Sequence, residues 1–587
     1  MWLDHWAIGC LIPLAFWILL SGLDDLFIAL VRLIAARRPF VWPAESALQS
    51  AAERPIAILV PLWREHAVIG QMLDRNLLAI RYANYHVFAG VYPNDELTVR
   101  AVESAAARHP RLHMARCPHG GPTSKGDCLN SVYRRMAQYE KSHGVRFEIV
   151  MMHDAEDIIH PESLRLVNWF SRHADMVQIP VLALPTGLRE FTHGLYCDEF
   201  AQFQSMDIPA RQSLGGFLPS NGVGTGFGRE ALERLAKTRG GRVFDPECLT
   251  EDYETGFALH SLGCRQRFVP LRGGAAGPVA TREYFPRHYR AAVRQRSRWV
   301  TGIALQGWQR HGWRAPWRQL YWFWRDRKGL VGNLATPLAG VTFLVGLARW
   351  RSLPLFPAWL PVVCGATLVV SLAQISLRAF FSGRLYGWRF AALSPLRMMW
   401  GNVVNFAATV AALRQFAVSR LRGRALAWRK TQHAYPAHHS ADPGRPRVGE
   451  VLARLHLLDP DALQHALASQ PEGMRLGEHL QRLNQLSEED LYRALSIQTG
   501  LPLGAPARDQ VNRLATRTLP AAVMRRWRVL PYRVDLGQLH LATAEIPSEE
   551  MTRDLASMSG LELRFRLVQP HEFEQLAEEY WPKGKVS

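Results

Sequence analysis

The sequence predicts an α/β domain set between apolar, membrane-length segments and followed by a smaller repeated helical unit with an α/β lobe. Three observations carry this reading: strand, loop and helix alternate after Pro55, four apolar stretches flank the alternating region, and a leucine-rich motif near the C-terminus occurs twice. At 587 residues, 48% hydrophobic and 21% charged, the chain is too apolar for a disordered class and long enough for two or three domains. Lys and Arg (70) outnumber Asp and Glu (51), and the net charge of +19 points to anionic partners: phosphates, nucleic acid or an acidic membrane surface. Nineteen tryptophans favour the membrane, because indoles prefer the lipid-water boundary. Seven cysteines with no Cys-x-x-Cys argue against a disulfide framework or a zinc site.

Residues 6–23 carry no charge and just reach the length needed to cross hydrocarbon; Asp24 and Asp25 are expected to end the segment. Asp4 and His5 precede it and Arg32, Arg37 and Arg38 follow, which suits an uncleaved anchor (domain 1–38) rather than a signal peptide. The positive-inside tendency then places the N-terminus outside and the following chain in the cytoplasm. Further apolar segments lie at 329–347, 354–377 and 396–413, the last interrupted by Arg397, Asn402, Asn405 and Thr409. The basic tail Arg420, Arg422, Arg424, Arg429 and Lys430 requires an even number of crossings, so residues 329–417 are read as two spans plus an amphipathic interfacial helix over 395–414. Residues 307–328 interleave tryptophan with arginine, the pattern of a helix docked at headgroup depth; stacking on single-stranded nucleic acid is the weaker alternative.

Within the inserted domain, residues 56–60 read as a strand, 68–81 as a helix and 86–92 as a second strand ending in Pro93-Asn94-Asp95. Ligands of such domains sit at the carboxyl ends of the strands, so polar residues there matter most. Four clusters stand out. Lys125-Gly126-Asp127 opens a helix and suits an anionic group. His153-Asp154-Ala155-Glu156-Asp157 follows a strand at 147–152; its carboxylates repel unless a divalent cation or a basic partner offsets them, although a helix start or solvated loop is the plainer reading. Thr250-Glu251-Asp252-Tyr253 follows a glycine-rich loop at 222–226 and would by itself be a helix cap. Gln295-Arg296-Ser297-Arg298-Trp299 would alone be a basic amphipathic helix.

In this order and spacing the clusters resemble the membrane-bound, processive family-two glycosyltransferases, the group containing cellulose and hyaluronan synthases. The resemblance implies an α/β GT-A-type fold for residues 39–306. Val60-Pro61-x-x-Arg64-Glu65 stands at that family's first nucleotide-contacting loop, Asp154-x-Glu156 at its Asp-x-Asp motif, Thr250-Glu251-Asp252 at its Thr-Glu-Asp motif, and Gln295-x-x-Arg298-Trp299 at its Gln-x-x-Arg-Trp motif. Glu156 departs from the second Asp, with Asp157 adjacent as a substitute, and Pro93-Asn94-Asp95 replaces an Asp-Asp pair. The resemblance implies that Pro61, Glu65, Asp95, Lys125, Gln295 and Arg298 bind a nucleotide-sugar donor and that Asp154 and Glu156 hold Mg²⁺ or Mn²⁺ on its diphosphate. Trp299 would be the platform for the growing glycan. Asp252 would be the general base, with Glu251 and Asp154 completing the catalytic set and inversion as the outcome.

Past a linker at 418–446, residues 447–470 are echoed by residues 475–498, leucine for leucine. Two helical hairpins packing their leucine faces would explain the repeat. Each copy, however, also begins with Arg and Gly and ends in Gln, which resembles the cyclic-di-GMP-binding (MshEN-type) domain at the front of type II secretion and pilus ATPases. The resemblance implies an α+β sensor over 447–587 with ligand contacts from Arg447, Gly449, Leu452 and Gln470 in one half-site and Arg475, Gly477, Leu480 and Gln498 in the other. The family's later glycine is His456 in the first copy and Asn484 in the second; Asn tolerates a left-handed backbone better, so the second half-site matches better. Strands are expected near 529–534 and 538–543.

The whole order is similar to the bacteriophage adsorption protein B (NfrB-like) family. That likeness implies a multi-pass inner-membrane protein with a periplasmic N-terminus and cytoplasmic catalytic and C-terminal domains. It further implies an outer-membrane partner (NfrA-like) and a secreted amino-sugar exopolysaccharide built from a UDP-linked N-acetylhexosamine under cyclic-di-GMP activation. The phospholipid bilayer is its setting, a homo-oligomer would help to form an export path from so few spans, and no nucleic-acid partner is expected. Single-sugar addition to a lipid carrier and a non-catalytic membrane scaffold are the rival readings; a scaffold has no need to keep mutually repelling carboxylates together.

Overall fold

The computed structural model describes residues 2–272, 278–348, 358–422, 447–455, 457–471, 473–535 and 538–581. The chain divides into two compact units, Met1–Gly70 with Ile80–Ala434, and Gln71–Ala79 with Tyr435–Ser587.

In the first unit the strands are β1 (Ile56–Pro61), β2 (Tyr85–Val91), β3 (Leu112–Arg116), β4 (Ile149–Met152), β5 (Met176–Gln178), β6 (Val181–Ala183), β7 (Thr225–Gly228), β8 (Gln266–Phe268) and β9 (Thr281–Glu283). Seven form one sheet in the order β3-β2-β1-β4-β7-β5-β8, and β6 pairs with β9 separately. Pairing is parallel from β3 to β4; β7 runs antiparallel to β4 and β5, and β8 parallel to β5. Both faces of the sheet are covered, which is why β1 and β4 read as continuous apolar runs and bury every residue. Leu59 is in register with Met152, so Pro61 and the His153-Asp154 turn leave the sheet at the same edge. The helix Lys125–His143 starts beside them, capped by Ser124, whose hydroxyl accepts from the Asp127 amide at 3.2 Å.

Among the described residues three helices are long and apolar enough to cross a membrane: Gly9–Ala36, Trp317–Ala348 and Trp359–Tyr386. This agrees in number with the sequence reading, whose segment 354–377 begins outside the described residues. Asp24 and Asp25 do not end the first helix, which runs from Trp2 to Ala36. Lys328 Nζ reaches Asp24 at 2.8 Å and Asp25 at 2.7 Å, Arg325 pairs with Asp24, and Gln374 Nε2 donates to Asp25 at 2.8 Å. Charges inside an apolar helix persist when paired in this way.

The segment 395–414 lies in one helix, Ser394–Arg422, which is not among the membrane-length candidates. Three of its polar residues, Arg397, Asn405 and Thr409, turn to protein, whereas Asn402 is exposed. Arg397 is fully buried and donates to both carboxylate oxygens of Asp198, at 2.7 and 2.9 Å; Asn405 accepts from Arg296 at 2.7 Å, and Thr409 from Asn333 at 2.9 Å. The tryptophan-arginine stretch also divides. Trp308, Trp313 and Trp317 are exposed as expected of a docking surface, whereas Trp322 and Phe323 are core residues packed with Phe217, Tyr253 and Phe257. All seven cysteines are free thiols.

In the second unit the repeat copies are helical hairpins, Val448–Arg454 with Pro460–Ser469 and Leu476–Arg482 with Glu488–Thr499. The lobe that follows holds β10 (Val529–Asp535), β11 (Gln538–Thr543) and β12 (Glu562–Leu567), with β11 antiparallel to β10 and parallel to β12. The third strand was not among the expected ones. Its alternation, Leu563, Phe565 and Leu567 against Glu562, Arg564 and Arg566, is the period-two signal that marks it.

Candidate active site

The four sequence clusters converge on one cavity. Pro61, Glu65, Lys125, Asp154, Glu156, Asp252, Gln295, Arg298 and Trp299 all line it, around an open volume of about 90 Å³. At its centre Lys125 Nζ lies 2.7 and 2.8 Å from the two oxygens of Asp154 and 3.8 Å from Glu251 Oε1. Burial by itself would depress the ammonium, but Asp154, Glu251 and Asp252 outweigh it and hold Lys125 well above its ordinary value. The neighbouring carboxyls move the other way. Burial, opposed by Lys125 and reinforced by Asp252, pushes Glu251 up to about 7, and burial likewise raises Asp252.

Local sequence explains each placement. Thr250 sits at the N-cap of the helix Glu251–Ser261, yet its hydroxyl makes no cap hydrogen bond, so capping does not account for the motif. The residue instead packs on Gly302, where a Cβ would lie 2.4 Å from Thr250 Oγ1. Gly302 belongs to a π-helical turn, Val300–Gln306, directly after the Gln295-x-x-Arg298-Trp299 cluster, a distortion frequent at functional sites. The same turn supplies Gln306, whose Oε1 accepts from the Leu249 amide at 3.0 Å and fixes the approach to the acidic pair.

Asp252 rests on the glycine-rich loop. Gly222 has φ 76°, and a Cβ there would come within 2.6 Å of Asp252 Oδ2. Gly222→Ala is therefore expected to leave the fold intact but displace the carboxylate, lowering turnover by about 10²-fold. Circular dichroism with steady-state assays checks it; wild-type turnover would refute the packing argument. The loop is held by Gln178, whose Nε2 donates to Val223 O at 2.9 Å while its Oε1 accepts from the Asn221 amide at 3.0 Å and Thr225 Oγ1 at 2.7 Å.

Two residues sit outside the lining of the cavity. Asp157 is fully buried behind the turn, accepting from His153 Nδ1 at 2.7 Å and from the Asp154 amide at 3.0 Å. It orients the Asp154 backbone from outside the cavity lining. Burial raises its carboxyl and pushes His153 down to about 3. Asp95 is not among the residues lining the cavity; its Oδ2 accepts from the Arg64 amide at 2.5 Å, bracing a loop in which Arg64 takes φ 54°. Glu251 also stands behind the lining, reaching it through Lys125. Sequence reasoning missed Asn221, Glu283 and Phe285, which line the cavity, and Gln178 behind it. None lies in a recognisable motif.

Among the described residues no group of three or more His, Cys, Asp and Glu side chains gathers to hold a metal. Of the carboxylates that line the cavity, Asp154 and Glu156 stand at the turn after β4, with Lys125 on the first. Such a pair fits an ion of the Mg²⁺ type that takes its remaining ligands from substrate phosphate and water.

In the C-terminal unit Arg447 and Arg475 are exposed, each directly before a short helix, while Leu452 and Leu480 are fully buried in the core. Gln470 Nε2 donates to Met474 O at 2.5 Å, and Gln498 is half-buried. Asn484 takes φ 52°, the left-handed backbone expected of it; His456 lies outside the described residues. Gly449 and Gly477 have a packing reason of their own. A Cβ would meet Leu463 at 2.9 Å in the first copy and the equivalent Leu491 at 2.6 Å in the second.

Residues 53–302 match the family described as glycosyltransferase like family 2, and residues 499–585 match the MshEN domain, starting just past the tandem copies. Bacteriophage adsorption protein B of Escherichia coli K12 is 34% identical over 592 residues, covering 95% of this chain and 79% of that protein. The chain belongs to the bacteriophage adsorption protein B family. Bacteriophage N4 adsorption protein B of Escherichia coli O157:H7 matches with the same identity and coverage. This adsorption protein B relative is thus a family-two glycosyltransferase with a GT-A-type catalytic domain, three membrane-length helices and a C-terminal MshEN domain. Two solved structures are also similar to it. The structure of MshE with cdg is 26% identical over 23% of this chain and 100% of its own, with TM-score 0.22. The mannosyltransferase PcManGT from Pyrobaculum calidifontis, in complex with GDP-Man and Mn²⁺, is 19% identical over 68% of this chain and 99% of its own, with TM-score 0.41.

Proposed function

We propose that this protein is an inner-membrane, inverting glycosyltransferase that polymerises an amino sugar from a UDP-linked donor into a secreted exopolysaccharide under cyclic-di-GMP activation. The observation that carries the reading is the cavity in which Lys125, Asp154 and Asp252 meet Gln295, Arg298 and Trp299. Lys125 and Arg298 would contact the donor diphosphate, with Pro61, Glu65 and Gln295 around the nucleotide and Asp95 acting through its loop. Asp154 and Glu156 would hold the Mg²⁺ or Mn²⁺ accompanying that diphosphate. When bound, the ion supplies charge neutralisation as the sugar-phosphate bond breaks. Asp252 takes the acceptor hydroxyl's proton, Glu251 sets the field around it, and Trp299 offers the acceptor sugar a flat apolar face.

In this reading the catalytic and C-terminal domains face the cytoplasm, the N-terminus faces the periplasm, and an outer-membrane partner or a second copy helps carry the glycan out. Arg447 and Arg475, with their repeat partners, bind the dinucleotide's phosphates or guanines. A nucleotide-sugar panel on membranes containing the full chain, with and without cyclic-di-GMP, tests the proposal. Consumption of a UDP-N-acetylhexosamine, stimulated by cyclic-di-GMP and yielding long products, is expected. Products of one sugar would replace it with single addition, and no consumption with a scaffold. Because Asn484 adopts the backbone that the second half-site needs, Arg475→Ala should weaken cyclic-di-GMP binding by about tenfold or more, and by more than Arg447→Ala, in calorimetry.

A further inference from the structure

A cavity of about 410 Å³ lies where the first apolar helix ends against the catalytic unit. Its charged lining is Arg32, Arg38 and Arg267, with no carboxylate among the lining residues, and Phe40, Val41 and Pro270 add an apolar wall. Arg267 stacks on that wall, 4.7 Å from the Phe40 ring centroid and 5.9 Å from that of Phe170, and its Nε is buried with no hydrogen-bond partner. Among the described residues Arg32 spends only its Nε on a hydrogen bond to the protein, donating to Ser205 O at 2.8 Å.

Arg32 and Arg267 are part-buried, which disfavours their charged forms, and Arg384 sets a further like charge near Arg32. An anion between them relieves both penalties, and a phosphate does so with paired N–H contacts. Depth narrows the source of that phosphate. Arg32 lies in the last turns of Gly9–Ala36, a helix of membrane-crossing length, and Leu30, Leu33 and Ile34 beside it are exposed large apolar side chains. A soluble phosphate would leave these uncovered, whereas an acyl chain attached to the phosphate would lie along them.

We propose that this cavity binds the headgroup phosphate of an anionic phospholipid from the leaflet adjoining the catalytic unit. The site is separate from donor binding and rests only on the first helix lying in the membrane. Occupied, it seats the end of that helix on the catalytic unit, because one lipid then touches Arg32 and Arg38 from the helix and the segment after it together with Arg267 from the sheet edge.

The test uses the full chain in detergent, titrated with phosphatidylglycerol or phosphatidylcholine and read by native mass spectrometry. Phosphatidylglycerol should be retained preferentially, and Arg38→Gln with Arg267→Gln should weaken its retention about tenfold or more. Donor hydrolysis serves as the folding control for the double variant, and Arg38→Gln alone, at an exposed side chain, gives a smaller loss in the same direction. Equal retention of the two lipids, or wild-type retention by the variants, would overturn the proposal. So would displacement of phosphatidylglycerol by an equal concentration of inorganic phosphate, which would assign the site to a soluble anion.

Discussion

Asp252→Asn is expected to lower sugar transfer by about 10²- to 10⁴-fold while donor binding persists, the range lost when a positioned general base is removed. The substitution keeps the shape of the side chain. Its amide oxygen can still accept from the Tyr253 amide, as Asp252 Oδ1 does at 2.7 Å, so the start of the helix should not move. What disappears is the group proposed to take the acceptor's proton. Turnover paired with calorimetry on a UDP-sugar separates the effects; wild-type turnover would remove Asp252 from the mechanism. The acidic pair also has a pH signature. Glu251, raised to about 7 from an ordinary 4.5, binds its proton more tightly in the native chain than in the unfolded one. Its contribution to stability is therefore lost as pH rises from about 4.5 through 7, and Glu251→Gln should flatten that part of the melting profile.

Breaking the Asp198–Arg397 pair should give the largest loss of stability. Both side chains are fully buried, and Asp198 also accepts from Ser382 at 2.6 Å. Arg397→Ala would strand the carboxylate in the interior, a change that costs about 3–5 kcal/mol. Replacing both partners, Asp198→Leu with Arg397→Met, removes the stranded charge along with the pair and should recover much of that loss. Thermal unfolding in detergent compares the variants; an unchanged melting temperature for Arg397→Ala would show that the pair does not hold the Ser394–Arg422 helix to the catalytic unit.

The Arg397 case shows where sequence reading loses its grip. Along the chain, an arginine in an apolar stretch looks like an interruption, and a helix with such residues looks interfacial. The partner that makes it a core residue lies 199 positions away, and nothing local announces it. Asp24 and Asp25 mislead in the same way, since the cations that neutralise them come from Arg325 and Lys328. The motif residues were legible because chemistry restricts them to few types at fixed spacing. Asn221 and Glu283 were not, because a cavity wall accepts many residue types.

The sequence by itself determined the family, the order of domains, the sheet-forming runs, the three membrane-length helices, the tandem hairpins and the motif residues that line the cavity, since each rests on local periodicity or on a short motif. Only the tertiary structure decided that Asp157 supports Asp154 from behind, that Asp95 braces a loop, that Gly449 and Gly477 make room for leucines, and that arginines gather at the end of the first helix. Those outcomes depend on which distant side chains meet, and burial and charge act through space rather than along the chain.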